Sequence, residues 1–205
     1  KNFIFFSKNN KKFEKFNLNN NIKKFPIKEV NNCYFFSSPR VLKKNFINNK
    51  FKLELEWLRK IVSNIKINKL IYISSSSVYY KKNHTIGSIK LKCENLILKD
   101  KDLFTDYQIW RPFNLIGEKY VNSDHFHNML FKQMFLKKEY VTTFGGNLSD
   151  KRGYADVNHF VKVLYKESTK NKSFIKDYGN KDLVKISEII NLFNSYYIKI
   201  NNFYF

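Results

Sequence analysis

The sequence predicts an α/β protein in which helices flank a parallel sheet. Short runs of β-branched and aromatic residues alternate along the chain with longer segments of helical apolar spacing, which is typical of this fold class. The composition, 43% hydrophobic and 18% aromatic over 205 residues, is sufficient for a packed core and excludes global disorder. Because no internal repeat or linker interrupts the pattern, we expect one domain over residues 1–205, with its core in about 1–120.

Each predicted element has a local basis in the sequence. Leu58, Ile61 and Ile65 lie on one helical stripe, and Pro112 ends the strand that precedes it. The apolar spacing predicts helices over residues 50–66, 86–100, 126–138, 157–168 and 186–196. The β-branched and aromatic runs predict strands over residues 2–6, 33–37, 70–73, 107–110, 140–144 and 174–178.

The charge of the chain is strongly positive. Taken alone, a formal +21 indicates nucleic acid or an acidic membrane as a partner. However, the 38 basic residues include only four arginines, which are Arg40, Arg59, Arg111 and Arg152. Specific nucleic-acid binding relies on arginine for bidentate and stacking contacts. We therefore interpret the charge as a solvated lysine surface and expect no specific nucleic-acid partner.

The cysteines and apolar runs restrict the class of protein further. Cys33 and Cys93 are too few for a disulfide scaffold or a Cys-rich zinc site, and reduced thiols are typical of the cytoplasm. No apolar run approaches the ~18 residues of a membrane helix. Asp124, His125 and His127 are close in sequence, but their spacing does not indicate a metal site. We expect a cytoplasmic protein without a metal or a membrane partner.

Four blocks of residues occur in a distinctive order. They are Ser-Ser-Ser-Ser-Val-Tyr at 74–79, Gly-Ser-Ile-Lys-Leu-Lys-Cys-Glu at 87–94, Ile-Trp-Arg-Pro-Phe-Asn-Leu-Ile-Gly at 109–117 and Asp-Lys-Arg-Gly-Tyr-Ala-Asp-Val at 150–157. Together they resemble the extended short-chain dehydrogenase/reductases of the NAD-dependent epimerase/dehydratase family, which act on nucleotide sugars. The similarity covers about residues 33–196. It implies a Rossmann-like parallel sheet, a shortened N-terminal half and substrate-binding elements in about 121–205.

The resemblance implies catalytic roles for Ser75 and Lys90. Ser75 matches the family residue that hydrogen-bonds the reacting sugar oxygen, although a polar cap at the strand end is an alternative. Lys90 matches the lysine of the family's Tyr-x-x-x-Lys pair, which binds the nicotinamide ribose and lowers the pKa of the tyrosine. Ile86 stands at the tyrosine position and has no proton to exchange. His84, two residues earlier, is the candidate for a substitute base, with an exposed loop histidine as the alternative.

The cofactor implied by the resemblance is NAD or NADP. The residues implied to face it are Ser74, Lys90, Pro112 and Phe113. The family's Gly-x-x-Gly-x-x-Gly turn, which brings open backbone to the pyrophosphate, has no counterpart because Gly87 is the first glycine of the chain. Only 26 residues, 7–32, separate the first two predicted strands, whereas a complete strand–helix–strand unit needs roughly 30 or more. We therefore expect dinucleotide binding to be weak or absent.

The substrate side of the resemblance is better preserved. Asn114 matches the family residue that contacts the nucleotide-sugar diphosphate, and Arg152 matches the arginine that clamps it. His159 stands where the family has an acid. Relatives dimerise through a four-helix contact, which the predicted helices at 50–66 and 86–100 would form here. We therefore expect a nucleotide-diphosphate sugar as ligand and a second copy of the chain as partner.

Three hypotheses for the function follow. The first is a degenerate epimerase, dehydratase or reductase homologue, shortened at both ends, that has lost dinucleotide binding and tyrosine-based catalysis but keeps a nucleotide-sugar cleft. The second is an active NAD(P)-dependent nucleotide-sugar epimerase or reductase of surface polysaccharide synthesis, with a non-standard acid or base such as His84. The third is a basic, non-catalytic binding protein on a Rossmann-like scaffold.

Overall fold

The structure, a computed structural model, divides into two compact units. It describes residues 6–7, 14–15, 18, 27–36, 52–79, 85–117, 129–130, 133 and 146–200. One unit comprises residues 1–111 and 168–177, and the other comprises residues 112–167 and 178–205. Each unit has a hydrophobic core of its own.

The described elements alternate between strands and helices along the chain. The strands are β1 (Phe6–Ser7), β2 (Glu14–Lys15), β3 (Glu29–Phe35), β4 (Lys66–Ile73), β5 (Asp106–Pro112), β6 (Asn114–Ile116), β7 (Lys151–Arg152), β8 (Tyr154–Asp156), β9 (Phe174–Tyr178) and β10 (Val184–Lys185). The α-helices are α1 (Lys52–Asn64), α2 (Thr85–Lys99), α3 (Val157–Ser168) and α4 (Ile186–Ile200). Short 3₁₀ helices span Ser76–Tyr79 and Lys101–Leu103.

The main sheet has the strand order β3-β4-β5-β9. The pairs β3–β4 and β4–β5 are parallel, with Cys33 opposite Leu70 and Leu70 opposite Tyr107. Helices α1 and α2 connect these parallel neighbours, as crossover connections must. The predicted parallel sheet flanked by helices is therefore confirmed. Strands β1 and β2 pair with each other in a separate parallel ladder.

The core of the first unit surrounds β4. Leu70, Ile71 and Tyr72 are consecutive and fully buried, as expected for a central strand of a parallel sheet that is covered on both faces. Helix α1 contributes Leu58 from its apolar stripe, and α2 contributes Cys93 from its own. Leu58, Leu70, Tyr72 and Cys93 belong to one cluster, so the serines that follow β4 extend from a well-packed strand.

In its described part, the second unit contains two short ladders and the helices α3 and α4. Strand β6 pairs in parallel with β8, and β7 pairs antiparallel with β10. Ile186, Ile189 and Ile190 of α4 form its buried cluster together with Leu130. The carboxylate of Asp156 accepts the backbone N–H of His159 at 2.6 Å, which caps the N-terminus of α3.

Most predicted elements within the described residues lie within two residues of the observed ones. The predicted helices at 86–100 and 157–168 correspond to Thr85–Lys99 and Val157–Ser168. Three boundaries differ more: β3 and β4 each begin four residues before their predicted starts, and α4 ends four residues after its predicted end. The predicted strands at 2–6 and 140–144 and the helix at 126–138 fall largely outside the described residues. Among the described helices, none has both the length and the apolar character needed to cross a bilayer.

Candidate functional site

The serines after β4 are fixed by different contacts. Ser74 is buried, and its hydroxyl donates to Glu94 Oε1 at 2.5 Å, while its N–H extends the β4–β5 ladder to the carbonyl of Trp110 at 2.7 Å. The hydroxyl oxygen of Ser75 accepts the N–H of Ser77 at 3.1 Å. This contact stabilises the turn into the 3₁₀ helix. Ser75 is half-buried. Its observed hydrogen bond corresponds to the alternative role, a polar cap at the end of the strand.

Gly87 allows the first turn of α2 to approach the serine segment. A Cβ atom at this position would lie 2.2 Å from the backbone oxygen of Ser77, closer than real contacts allow. Glycine is the residue that fits this approach. This approach places two side chains of α2, Lys90 and Glu94, at the end of β4. The two residues are one helical turn apart.

Lys90 lies in a buried network with Glu54 and Tyr72. Its ammonium is 2.7 Å from Glu54 Oε1 and 2.9 Å from the carbonyl oxygen of Ile73, and it lies 5.2 Å from the centroid of the Tyr72 ring. The Tyr72 hydroxyl donates to the same Glu54 oxygen at 2.8 Å. The pKa of Tyr72 is raised well above its ordinary value, first by burial and then by the nearby Glu54 charge. The network therefore contains a neutral phenol, a cation and an anion.

A second network extends from Glu94 to the sheet edge. Arg111 Nε lies 3.0 Å and 3.2 Å from the two Glu94 oxygens, and Arg111 Nη2 lies 2.6 Å from Oε2. Arg111 Nη1 also donates to the Tyr79 hydroxyl at 2.8 Å, and this hydroxyl donates to the carboxylate of Asp177 at 2.8 Å. Burial, followed by the hydrogen bond to Asp177, raises the pKa of Tyr79. Tyr79 is thus held as a neutral phenol.

The residues on the nicotinamide side do not fit a dinucleotide cofactor. Lys90, the implied ribose ligand, donates instead to the Glu54 carboxylate and to the carbonyl oxygen of Ile73. Ile86, at the implied tyrosine position, is half-buried and packs against the core. His84 and residues 8–13, where a glycine-rich turn would lie, are outside the described residues.

Asn114 and Arg152 lie close together in the second unit. The side-chain amide of Asn114 donates to the carbonyl oxygen of Gly153 at 2.9 Å, and Asn114 is opposite Tyr154 in the β6–β8 ladder. Arg152 precedes Gly153 and is half-buried. Within the described part of the chain, its guanidinium has neither an ion pair nor a hydrogen bond. A cation without a counter-charge beside an anchored amide is suited to an anionic ligand.

Phe113 is a packing residue of the second unit. Its N–H donates to the carbonyl of Tyr178 at 2.8 Å, so the backbone donor implied to face the cofactor is already used. Its ring lies so near Gly179 that an added Cβ would be 2.9 Å from Phe113. The neighbouring Pro112 ends β5 and is half-buried.

Glu54, Asp177 and the contact between His159 and Tyr178 are not predicted by the sequence. His159 Nδ1 lies 2.6 Å from the Tyr178 hydroxyl. Glu54 carried a usable signal. It lies one turn before Leu58 on the apolar stripe of its helix, and a carboxylate on such a stripe indicates a buried partner. The His159–Tyr178 contact joins residues that are distant in sequence, and no local pattern predicts it.

A polar pocket of about 360 Å³ lies near the amino-terminal ends of the main strands of the first unit. It is lined by Asn31, Asn32, Asn68, Lys69, Thr105, Asp106 and Asn171. The Lys69 ammonium donates to the carbonyls of Ser168 and Lys170 and to Asn171 Oδ1, at 2.8–3.2 Å. Lys69 therefore holds the segment 168–171 of the first unit against β4. Among the described residues, no group of three or more metal-ligating side chains comes together.

Solved structures with the same arrangement of elements are enzymes of nucleotide sugars. The UDP-N-acetylglucosamine 4-epimerase from Bacillus cereus matches with a TM-score of 0.71 and 18% identity, over 95% of this chain and 72% of that one. The UDP-glucuronic acid 4-epimerase from Bacillus cereus, in complex with NAD, matches with a TM-score of 0.68 and 24% identity, over 94% and 67%. This chain has the fold of the nucleotide-sugar epimerases.

The epimerase fold is shared beyond the 4-epimerases. TunA, an NAD-dependent NDP-hexosamine 5,6-dehydratase, matches with a TM-score of 0.70 and 13% identity, over 82% of this chain and 60% of that one. No protein-family model matches the chain, and no curated protein sequence is similar to it. The chain thus spans about two thirds of the length of these enzymes. The Rossmann-like fold expected from the four blocks is confirmed.

Proposed function

We propose that this protein binds a nucleotide-diphosphate sugar and does not carry out the tyrosine-based hydride transfer of the enzymes that share its fold. The observation that carries the proposal is the guanidinium of Arg152, which has no counter-charge in the described part of the chain. The side chain of Asn114 donates to the carbonyl of Gly153, the residue that follows Arg152. A diphosphate would supply the missing anion and accept two parallel N–H donors from one arginine.

The ligand class follows from the charge and from the fold together. The net charge of +21 attracts anions at long range, which favours phosphate-bearing ligands without selecting among them. The epimerases with this fold act on UDP-sugars, as their names state. A nucleotide sugar would give the protein a place in surface polysaccharide synthesis in the cytoplasm.

The loss of hydride-transfer chemistry rests on the first unit. Ile86 cannot exchange a proton, and Lys90 has its donors engaged by Glu54 and Ile73. The pKa of Tyr79, which ends the 3₁₀ helix that follows these serines, is raised, so it does not form a phenolate base at neutral pH. Binding without turnover is therefore the activity we propose.

The proposal is tested by calorimetry with UDP-glucose, UDP-N-acetylglucosamine and UDP-glucuronic acid, with UMP as the control for the nucleotide alone. Hydrogen bonds to charged groups contribute about 1.5–3 kcal/mol, so Arg152→Ala should weaken binding roughly 10- to 150-fold. Arg59→Ala is the matched control, because Arg59 is exposed on α1 and should change the affinity less than about twofold at physiological salt. The proposal is wrong if no nucleotide sugar binds, or if Arg152→Ala and Arg59→Ala bind equally well.

A further inference from the structure

We propose that Glu54 makes Lys90 a structural residue, and that the buried clamp of Glu54, Lys90 and Tyr72 fixes α2 to α1 and β4 while keeping the ammonium from any nucleotide ribose. The inference assigns a role to Glu54, a residue without a part in the proposed nucleotide-sugar site. It does not depend on whether a nucleotide sugar binds.

The ammonium uses two of its three donors on hydrogen bonds and lies against an aromatic ring. One N–H is directed to Glu54 Oε1 at 2.7 Å and a second to the Ile73 carbonyl at 2.9 Å. The third side of the ammonium faces the ring of Tyr72, with the centroid 5.2 Å away, which is a cation–π distance. A lysine ammonium has three donors, so a ribose hydroxyl could reach it only by displacing one of these partners.

Burial makes such a displacement unfavourable. The side chains of Lys90 and Glu54 are only 10% and 3% exposed, and Tyr72 is fully buried. A ligand that drew Lys90 away would break its ion pair with the buried Glu54 carboxylate, and removing one partner of a buried ion pair is costly. The clamp and a lysine–ribose contact are therefore mutually exclusive.

The neighbouring position supports the same conclusion. Ile86 lies one turn before Lys90 on α2 and packs against the hydrophobic core of the first unit. At the two positions of a Tyr-x-x-x-Lys pair, Ile86 therefore packs in the core and Lys90 forms a buried ion pair. On α1, Glu54 projects from the same stripe as Leu58 and Ile61, all of them buried, so the helix itself aims the carboxylate inward.

A double-mutant cycle measures the clamp directly. Glu54→Leu, Lys90→Met and the double variant are unfolded in urea and followed by tryptophan fluorescence, because both tryptophans, Trp57 and Trp110, lie in the first unit. Each single change should lower the folding equilibrium constant by roughly 100-fold or more, because it removes one partner of a buried ion pair. If the two residues did not interact, the fold-decrease in the double variant would equal the product of the two single fold-decreases. We expect the fold-decrease in the double variant to be smaller than this product by a factor of at least about ten. If a single variant does not fold, Glu54→Gln, which keeps the shape, replaces Glu54→Leu.

The control cycle is Lys52→Met with Glu56→Leu. These two residues are exposed and four positions apart on α1, so their coupling should stay within about twofold. The proposal would be overturned if the coupling measured between Glu54 and Lys90 were no larger than the coupling between Lys52 and Glu56.

A titration with NADH, followed by nicotinamide fluorescence, distinguishes the clamp from a ribose-binding lysine. Whatever the wild-type affinity is, Lys90→Met should leave it within about twofold. A tenfold loss of NADH affinity in a Lys90→Met protein of unchanged stability would refute the clamp. If NADH binds neither the wild type nor any variant, the double-mutant cycle of Glu54 and Lys90 is the test of the clamp. The nucleotide-sugar test uses Arg152→Ala in the other unit, so either proposal can fail without the other.

Discussion

Replacing Glu94 by glutamine removes one charge from the second buried network and keeps the size of the side chain. Glu94 is 1% exposed and accepts from Nε and Nη2 of Arg111 and from the Ser74 hydroxyl. The change therefore leaves Arg111 without its counter-charge beside the end of β4. The backbone of α2 is not altered, so the effect reports on the charge.

The expected magnitude follows from the burial of Arg111. Breaking a buried ion pair by removing one partner costs about 3–5 kcal/mol. The Arg111 side chain is 17% exposed and keeps its contact with the Tyr79 hydroxyl, which places the expected loss near the lower end, at about 3 kcal/mol. For a chain of this length, the loss corresponds to a fall in Tm of about 6–12 °C.

The assay is urea unfolding followed by tryptophan fluorescence, which reports on the first unit, with circular dichroism as the second probe. Glu29→Gln is the matched control, because it breaks the Lys66–Glu29 pair, whose side chains are 71% and 55% exposed. Exposed pairs contribute about 0–1 kcal/mol. If Glu94→Gln and Glu29→Gln differ by less than about 1 kcal/mol, the reasoning from buried charge is refuted.

Two further predictions concern α2. Gly87→Ala should destabilise the protein by about 1–3 kcal/mol, because the new Cβ would meet the backbone oxygen of Ser77; a urea midpoint equal to that of the wild type would contradict this. Burial raises the pKa of Cys93 from 9.0 to about 12. The unfolded thiol ionises above about pH 9 while the folded thiol stays protonated, so stability present below pH 9 should fall as the pH rises toward 12. Comparison with Cys93→Ala isolates this effect: the wild type should lose up to about 1.4 kcal/mol more per pH unit, and equal slopes would contradict the prediction.

The sequence by itself determined the elements whose signals are local. Helix α2 was predicted at 86–100 and lies at Thr85–Lys99, because the apolar spacing of a helix is a property of consecutive residues. Strand β9 was predicted at the residues where it lies, Phe174–Tyr178. The order of the four blocks predicted the Rossmann-like fold, because those blocks mark strand ends and helix starts rather than isolated side chains.

Strand β3 shows where local signals end. It was predicted at 33–37, but it begins at Glu29, four residues earlier. The residues that follow Glu29 include two asparagines, Asn31 and Asn32, which disfavour a strand in isolation. They are in a strand because β4 supplies partners for their backbone, with Asn32 opposite Lys69. A hydrogen-bonded neighbour, not the composition of the segment, decided this boundary.

The partners of the charged side chains were decided by the tertiary structure alone. The sequence places Lys90 and Glu94 one turn apart with opposite charges, a spacing at which they could pair with each other. In the fold, Lys90 pairs with Glu54 and Glu94 pairs with Arg111, partners that lie 36 and 17 positions away. Packing α2 against α1 and β5 buries this face, and a buried charge takes the counter-charge that the neighbouring element brings. Which element that is depends on the topology, and no window of the sequence contains it.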